Sequence, residues 1–255
     1  MRNIKLILQY DGSSYSGWQV QKKEKSVQEI IESAVHSVTG ETLRVTGAAR
    51  TDAGVHAIAQ VAAFKTESSL QPDILLRALN ANLPHDIRVR DATECPLDFH
   101  PRYSAKNKTY CYLITYPGDY SVFIKKYSWQ IPYKLNCAVM REASRYLIGT
   151  HDFSSFRASG CNSKNPVRTI NEIVISEYSS IDFMGFNFDV PLIKTSIQAD
   201  AFLRHMVRNI VGTLTEFGRS KINPLGIKEI LESKNRSVSG PTAPGNGLFL
   251  EKVEY

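Results

Sequence analysis

The segment that decides the fold is Lys5-Leu6-Ile7-Leu8-Gln9-Tyr10-Asp11-Gly12, an apolar, β-prone run that ends at an Asp-Gly turn signal. A second segment, Tyr110-Cys111-Tyr112-Leu113-Ile114-Thr115-Tyr116-Pro117-Gly118, has the same alternation and ends in the same kind of turn. The recurrence predicts two related halves that each begin with a strand, with a boundary near residue 105.

The first half has the pattern strand, helix, strand, strand, helix, strand. Ser26 and Glu29 form a capping box at the start of a helix that Gly40 ends, with apolar residues at three- and four-residue spacing between them. Pro72 marks the start of a second helix. The strands after the first are expected at residues 43–46, 58–64 and 87–89.

The second half repeats part of this order. Asn136 can cap a helix that stops at Gly149, and a longer helix is expected over residues 200–217. Arg204 and Arg208 lie four residues apart along the border of its apolar stripe. Further strands are expected at 169–177, 183–198 and 248–255, and a last helix at 225–231.

Helices interleaved with hairpin-connected strands favour mostly antiparallel sheets with one face covered by helices. The predicted fold class is therefore α+β, with one half at residues 1–105 and the other at 106–255. We expect the uncovered sheet faces to form a broad basic cleft between the halves, which is where binding sites tend to lie.

The composition excludes several classes of protein. A chain of 255 residues with 42% hydrophobic and 22% charged residues can bury a packed core, which disfavours extended disorder. Its cysteines are too widely spaced for a C-x-x-C unit, and no apolar run suits a signal peptide or a membrane span. These features predict a cytoplasmic protein with reduced thiols, and the net charge of +6 favours a polyanionic partner.

The stretch richest in chemistry is Gly47-Ala48-Ala49-Arg50-Thr51-Asp52-Ala53-Gly54-Val55-His56-Ala57. It has a carboxylate two residues after an arginine and two before a glycine, so a tight turn would display Asp52. From spacing alone, a β-turn whose aspartate caps its own backbone is the simpler interpretation, and a catalytic carboxylate is the alternative.

Two other stretches are candidates for nucleic-acid contact. Phe99-His100-Pro101-Arg102-Tyr103-Ser104-Ala105-Lys106-Asn107-Lys108-Thr109-Tyr110 mixes cations and aromatic rings, which suits phosphates and bases. A solvated linker that leads into a strand explains this composition equally well. For Arg204, His205 and Arg208, a solvated helix face is the simpler interpretation.

Other catalytic motifs are weak or missing from the sequence. His151-Asp152-Phe153-Ser154-Ser155-Phe156 does not suit a catalytic triad, because adjacent His and Asp cannot easily make its ordered contacts, and a turn at a helix end is expected there. The sequence has no G-x-G-x-x-G, Walker or H-E-x-x-H motif. We therefore expect chemistry without a cofactor or a metal ion.

Together, seven segments resemble the tRNA pseudouridine synthases of the TruA type, which isomerise uridines at positions 38 to 40 of the anticodon stem-loop. They are Gly17-Trp18-Gln19-Val20-Gln21, Arg50-Thr51-Asp52-Ala53-Gly54-Val55-His56-Ala57, Leu79-Asn80-Ala81-Asn82-Leu83-Pro84, Lys108-Thr109-Tyr110-Cys111-Tyr112, His151-Asp152-Phe153-Ser154-Ser155-Phe156, Met206-Val207-Arg208-Asn209-Ile210-Val211-Gly212 and Thr242-Ala243-Pro244 with Gly247-Leu248.

The resemblance implies roles for four residues. Asp52 would be the catalytic aspartate, Tyr110 the ring stacked against the target uracil, and Arg208 the cation beside the aspartate. Arg50 would contact the RNA and help to hold the flipped-out base. It further implies two ferredoxin-like halves with pseudo-twofold symmetry around a central basic cleft, a homodimer, and tRNA as the partner.

Three alternatives remain open beside this resemblance. The chain could be a non-catalytic RNA-binding module in which Asp52 is only a turn residue. It could be a pseudouridine synthase that acts on another RNA. A cofactor-free hydrolase with Asp52 and Asp152 as paired carboxylates is the third, and a long distance between these side chains would exclude it.

Overall fold

The computed structural model of the chain describes residues 1–21, 24–116, 122–161, 163–183, 185–220 and 222–255. These residues form a mixed α/β protein with mostly antiparallel strands, and the described ranges contain five α-helices. The prediction of helices combined with mostly antiparallel sheets is confirmed. The chain divides into two compact units, the first made of Met1–Lys106 with Phe249–Tyr255 and the second of Asn107–Leu248.

The first unit has the predicted order of strand, helix, strand, strand, helix, strand. Its elements are β1 (Arg2–Tyr10), α1 (Val27–Thr39), β2 (Thr46–Gly47), β3 (His56–Thr66), α2 (Pro72–Asn82) and β4 (Ile87–Cys95). The strands lie in the order β4-β1-β3-β2, and every neighbouring pair among these four is antiparallel.

Helix α1 begins and ends where its capping residues predict. The Ser26 side chain accepts a hydrogen bond from the Glu29 amide, and Gly40 follows the last turn with a left-handed φ of 74°. The helix contacts α2, which in turn contacts β4. On β1, Ile4, Leu6 and Leu8 are fully buried while the residues between them are not, so one sheet face forms the core of this unit.

Strand β2 is shorter than predicted and lies at the end of the expected range. The backbone of Val45 is bonded by helix side chains instead of a neighbouring strand. Its amide donates to Glu32 at 3.0 Å, and its carbonyl accepts from the Gln28 amide group at 2.8 Å. Because these side chains already satisfy the polar groups of Val45, this part of the chain has no need of a strand partner.

The second unit also begins with a strand that is followed by a helix. Its elements are β5 (Asn107–Thr115), β6 (Trp129–Gln130), α3 (Cys137–Arg145), β7 (Gly149–Asp152), β8 (Val167–Tyr178), β9 (Ile181–Phe183), β10 (Phe186–Phe188), β11 (Leu192–Ala199), α4 (Met206–Arg219) and α5 (Gly226–Ser233). The main sheet has the antiparallel order β5-β11-β8-β7. The predicted turn at Pro117-Gly118 lies outside the described residues.

Helix α4 starts at Met206, and the prediction that it includes Arg204 is wrong. His205 has a left-handed φ of 59°, a conformation that cannot continue a right-handed helix toward Arg204. Arg204 instead lies in a loop, where its guanidinium donates to the Ser159 carbonyl at 3.3 Å. Helix α3 likewise ends at Arg145 and not at Gly149, which begins β7 with a φ of 108°.

The last strand, β12 (Leu248–Glu254), pairs with the first unit. Phe249 and Leu250 lie opposite His56 and Ala57 of β3, in parallel. The sequence pattern instead assigns residues 249–255 to the second half, because they follow it along the chain. Their position in the sequence does not reveal that the last strand pairs with β3. No helix in the described ranges has the length and apolar character needed to cross a bilayer.

Candidate active site

Asp52 lies in a tight turn between β2 and β3, as predicted. The Val55 amide donates to the Asp52 carbonyl at 3.2 Å, and Gly54 has a positive φ of 74°. Asp52 is partly buried and Arg50 is exposed. The turn therefore presents a carboxylate and a guanidinium at the surface of the first unit.

The segment at Gly17 supports this turn from one side. Gly17 forms a β-bridge with Asp52, and the Trp18 amide donates to the Thr51 carbonyl at 3.0 Å. Gly17 has a φ of 110°, and a Cβ there would lie 2.4 Å from the Thr51 carbonyl oxygen. Only glycine fits this approach. Spacing and composition assign no role to Gly17, and its place in the segment Gly17-Trp18-Gln19-Val20-Gln21 is the one signal of this contact.

A buried polar network supports the turn from the other side. Gln60 is fully buried and holds both backbone groups of Ala49, accepting from the amide at 3.1 Å and donating to the carbonyl at 2.8 Å. The Tyr10 hydroxyl lies 2.8 Å from Thr51 Oγ1. Burial raises the pKa of Tyr10 to about 12, so this hydroxyl stays protonated at neutral pH. The Asp52 turn is therefore held by neutral, directed contacts.

Tyr110 lies on β5 in the second unit and exposes only 6% of its surface. Its ring meets Phe202 edge-on, with 5.1 Å between the ring centroids. Two residues further on, the Tyr112 hydroxyl donates to the Pro244 carbonyl at 2.7 Å. Burial raises the pKa of Tyr112, and the positive charge of Arg208 acts against this rise.

Arg208 lies in the first turn of α4 and is clamped by Ala243. Its Nε donates to the Ala243 carbonyl at 2.7 Å, and the Ala243 amide donates to the Arg208 carbonyl at 3.1 Å. We call residues 239–244 the strap. The strap passes so close to α4 that a Cβ on Gly212 would lie 1.8 Å from the Pro241 carbonyl oxygen. Through Ala243, the strap therefore orients the Arg208 guanidinium, and through the Pro244 carbonyl it accepts a hydrogen bond from the Tyr112 hydroxyl.

A hydrogen-bond network anchors the strap. Asn209 Oδ1 accepts from the Thr242 hydroxyl at 2.7 Å and from the Arg236 guanidinium at 3.1 Å. Arg236 also donates to the Gly240 carbonyl at 3.0 Å. The sequence indicates only a loop here, and the resemblance at Thr242-Ala243-Pro244 is the one sign of a further role.

Asp152 is part of a structural contact. It ends β7, where it accepts from the Ser154 amide at 3.0 Å and lies 3.4 Å from the Lys234 ammonium. Burial opposes its ionisation, but the Ser154 bonds and the Lys234 charge outweigh burial and lower the pKa of Asp152. The predicted turn at a helix end is instead a strand end that precedes a single 3-10 turn.

The predicted site residues fall into both units. Arg50 and Asp52 share one turn of the first unit, and Tyr110 and Arg208 belong to the second. Within the described part of the chain, no three His, Cys, Asp or Glu side chains are grouped so that they could hold a metal ion.

The match to known proteins covers most of the chain. The sequence profile of the family described as tRNA pseudouridine synthase matches residues 6–104 and 143–255. This chain belongs to the tRNA pseudouridine synthase family. The predicted family, and with it the prediction of an enzyme of the isomerase class, are confirmed.

Relatives match this synthase over its full length. The tRNA pseudouridine synthase A of Thermodesulfovibrio yellowstonii is 42% identical over 255 residues, which is 100% of both chains. Those of Clostridium acetobutylicum and Acetivibrio thermocellus are each 44% identical, again with 100% of both chains covered.

Proposed function

We propose that this chain isomerises uridine to pseudouridine in tRNA, at positions 38, 39 and 40 of the anticodon stem-loop. The observation that carries the proposal is the Asp52 turn, which Gly17 and Gln60 hold in place in a member of this family. The full-length relatives, which are named tRNA pseudouridine synthase A, support tRNA as the substrate.

Asp52 begins the reaction as a carboxylate. Isomerisation breaks the bond from N1 to C1′, turns the uracil, and joins C5 to C1′, and the C5 proton is released while N1 gains one. The reaction needs no oxidant and no second substrate. Asp52 either attacks the base or the sugar, or removes a ribose proton, and each route needs the ionised form.

Arg208 holds the aspartate ionised and oriented. A cation within about 4 to 6 Å of a carboxylate favours its charged form. The clamp from Ala243 supports this role, because it restricts the directions in which the guanidinium can donate.

Tyr110 stacks on the target uracil, and its hydroxyl relays the C5 proton at the end of the reaction. Stacking of a base on an aromatic ring stabilises the bound state by roughly 1 to 3 kcal/mol. Since Tyr110 exposes only 6% of its surface, the side chains that cover the ring must move aside when RNA binds.

The target base must leave its stack before it can turn, at a cost of a few kcal/mol. Arg50, which is exposed beside Asp52, contacts the RNA and helps to hold the flipped-out base. We further propose a cytoplasmic homodimer built from ferredoxin-like halves with pseudo-twofold symmetry. Two observations support the proposal of two halves. The first unit has the strand order β4-β1-β3-β2, and the second unit begins again with a strand, β5.

The experiment uses tRNA that contains 5-tritiated uridine. This tRNA comes from cells that do not form pseudouridine at positions 38 to 40. We expect the protein to release tritium to water without an added cofactor, and mapping to place pseudouridine at positions 38 to 40. Binding of tRNA without tritium release would instead support a non-catalytic RNA-binding module. Release with pseudouridine only at other positions would contradict the anticodon assignment.

A further inference from the structure

Tyr103 is the most exposed aromatic side chain among those whose exposure is described, at 75%. It belongs to the mixed cationic and aromatic stretch at residues 99–110, which leads into β5. No residue of this stretch before Tyr110 has a role in the proposed reaction. An exposed ring is available to a flat ligand, and a base stacked on it would remove apolar surface from water.

Hydrogen bonds hold the turn that carries Tyr103, residues 100–104. Its backbone amides are satisfied within the turn, because those of Arg102 and Tyr103 donate to His100 Nδ1 at 3.2 and 3.3 Å, and that of Ser104 donates to the His100 carbonyl at 2.9 Å. The Tyr255 hydroxyl donates to the Pro101 carbonyl at 2.9 Å. The ring is therefore presented by a backbone that needs little further ordering on binding.

The side chains around Tyr103 suit a nucleotide. The His100 ring lies 4.3 Å from the Tyr103 ring between centroids, and the Arg102 guanidinium lies 5.5 Å from that ring. Arg102 and Lys106 are both exposed. An aromatic ring offers a base a stacking surface, and the cations offer its phosphate a charge partner.

We propose that the turn at residues 100–104 binds an unpaired nucleotide of the RNA, with the base stacked on Tyr103 and the phosphate paired with Arg102. This inference rests on the proposed function for the identity of the RNA as tRNA. It assigns the turn to binding and not to the reaction.

The turn and Asp52 lie at opposite ends of β1. Asn3 at the start of β1 pairs with Cys95 and donates to the Phe99 carbonyl, whereas Tyr10 at its end contacts Thr51. A strand rises about 3.3 Å per residue, so the seven steps from Asn3 to Tyr10 span about 23 Å. The nucleotide at Tyr103 is therefore a different one from the target uridine. The proposal assigns it to an unpaired part of the tRNA outside the anticodon stem-loop.

The test measures equilibrium binding of the full-length protein to an unmodified tRNA transcript and to its isolated anticodon stem-loop. We expect Tyr103→Ala to bind the tRNA about tenfold more weakly and the stem-loop as tightly as wild type does. Tyr103→Phe, which keeps the ring, retains the wild-type affinity for both. The matched control is Tyr178→Ala, at a half-exposed position of β8, which leaves both affinities unchanged.

A second variant tests the phosphate contact. Arg102→Ala reduces the slope of log affinity against log salt for tRNA by about one, as expected for the loss of one phosphate contact. Unchanged tRNA affinity in Tyr103→Ala, or equal losses for tRNA and stem-loop, would overturn the inference. A change in sedimentation in Tyr103→Ala would also overturn it, since the turn would then join copies of this chain. Binding needs no turnover, so tritium release by wild type tests the isomerase proposal separately.

Discussion

Arg208 and Ala243 exchange two hydrogen bonds although they lie 35 residues apart, one through the arginine Nε and one between backbone groups. The contact ties the first turn of α4 to the strap. A long side chain that is free to rotate loses conformational entropy each time it makes a directed contact. Because the hydrogen bond to Ala243 forms when the protein folds, the Arg208 side chain loses this entropy during folding. The guanidinium is therefore oriented before RNA binds.

Arg208→Lys tests whether orientation matters in addition to charge. Lysine keeps the positive charge but lacks the planar group that donates to Ala243. We expect a folded protein whose single-turnover rate is about tenfold to a hundredfold lower, since a charged hydrogen bond contributes about 1.5 to 3 kcal/mol. Tritium release measures the single-turnover rate, and a thermal unfolding curve shows whether the variant is folded. A wild-type rate would show that charge alone suffices.

Gly212→Ala tests the strap. Its Cβ would lie 1.8 Å from the Pro241 carbonyl, so the strap must move away from α4. We expect a loss of about 1 to 3 kcal/mol in the free energy of unfolding, together with a lower rate. Gly226→Ala is the control, because the nearest atom there lies at 3.6 Å and alanine favours a helix. Equal effects of the two substitutions would contradict a role for the strap.

Gly17→Ala tests the support under the Asp52 turn. Alanine would combine an unfavourable backbone at φ 110° with a contact of 2.4 Å to the Thr51 carbonyl. We expect a loss of about 2 to 4 kcal/mol in stability and a strong loss of tritium release. Gly40→Ala has φ 74° with no atom within 4 Å, so it should cost only about 1 to 2 kcal/mol and keep the activity. Full activity in Gly17→Ala would show that the turn does not depend on this contact.

Local signals in the sequence predict much of the fold and much less of the site. The capping residues Ser26 and Gly40 define α1 because they act on their own helix ends. The contacts that position the site join distant segments, such as Gln60 with Ala49 and Arg208 with Ala243. No periodicity or spacing encodes these pairs, and the left-handed backbone at His205 likewise follows from contacts that only the folded chain makes.

The Tyr10 network predicts an alkaline pH dependence of stability. The pKa of Tyr10 is about 12 in the folded chain, against about 10 for an ordinary tyrosine. Between these values the folded chain keeps a proton that the unfolded chain loses. The contribution of Tyr10 to stability is therefore complete below pH 10 and is lost as the pH rises through 12.

Tyr10→Phe removes this titration. We expect its free energy of unfolding to fall less steeply than that of wild type between pH 10 and 12, by about 1.4 kcal/mol per pH unit. Urea unfolding midpoints at several pH values in this window measure the difference. Parallel slopes for the two proteins would contradict a buried, protonated Tyr10 hydroxyl beside Thr51.

The central claim, that Asp52 starts the reaction, is tested most directly by tritium release from 5-tritiated uridine in tRNA by Asp52→Asn. Asparagine matches aspartate in size, so the turn held by Gly17 and Gln60 keeps its shape, but it cannot act as an ionised group. We predict no tritium release, with tRNA affinity close to that of wild type. Substantial release by the folded variant would contradict the assignment of Asp52.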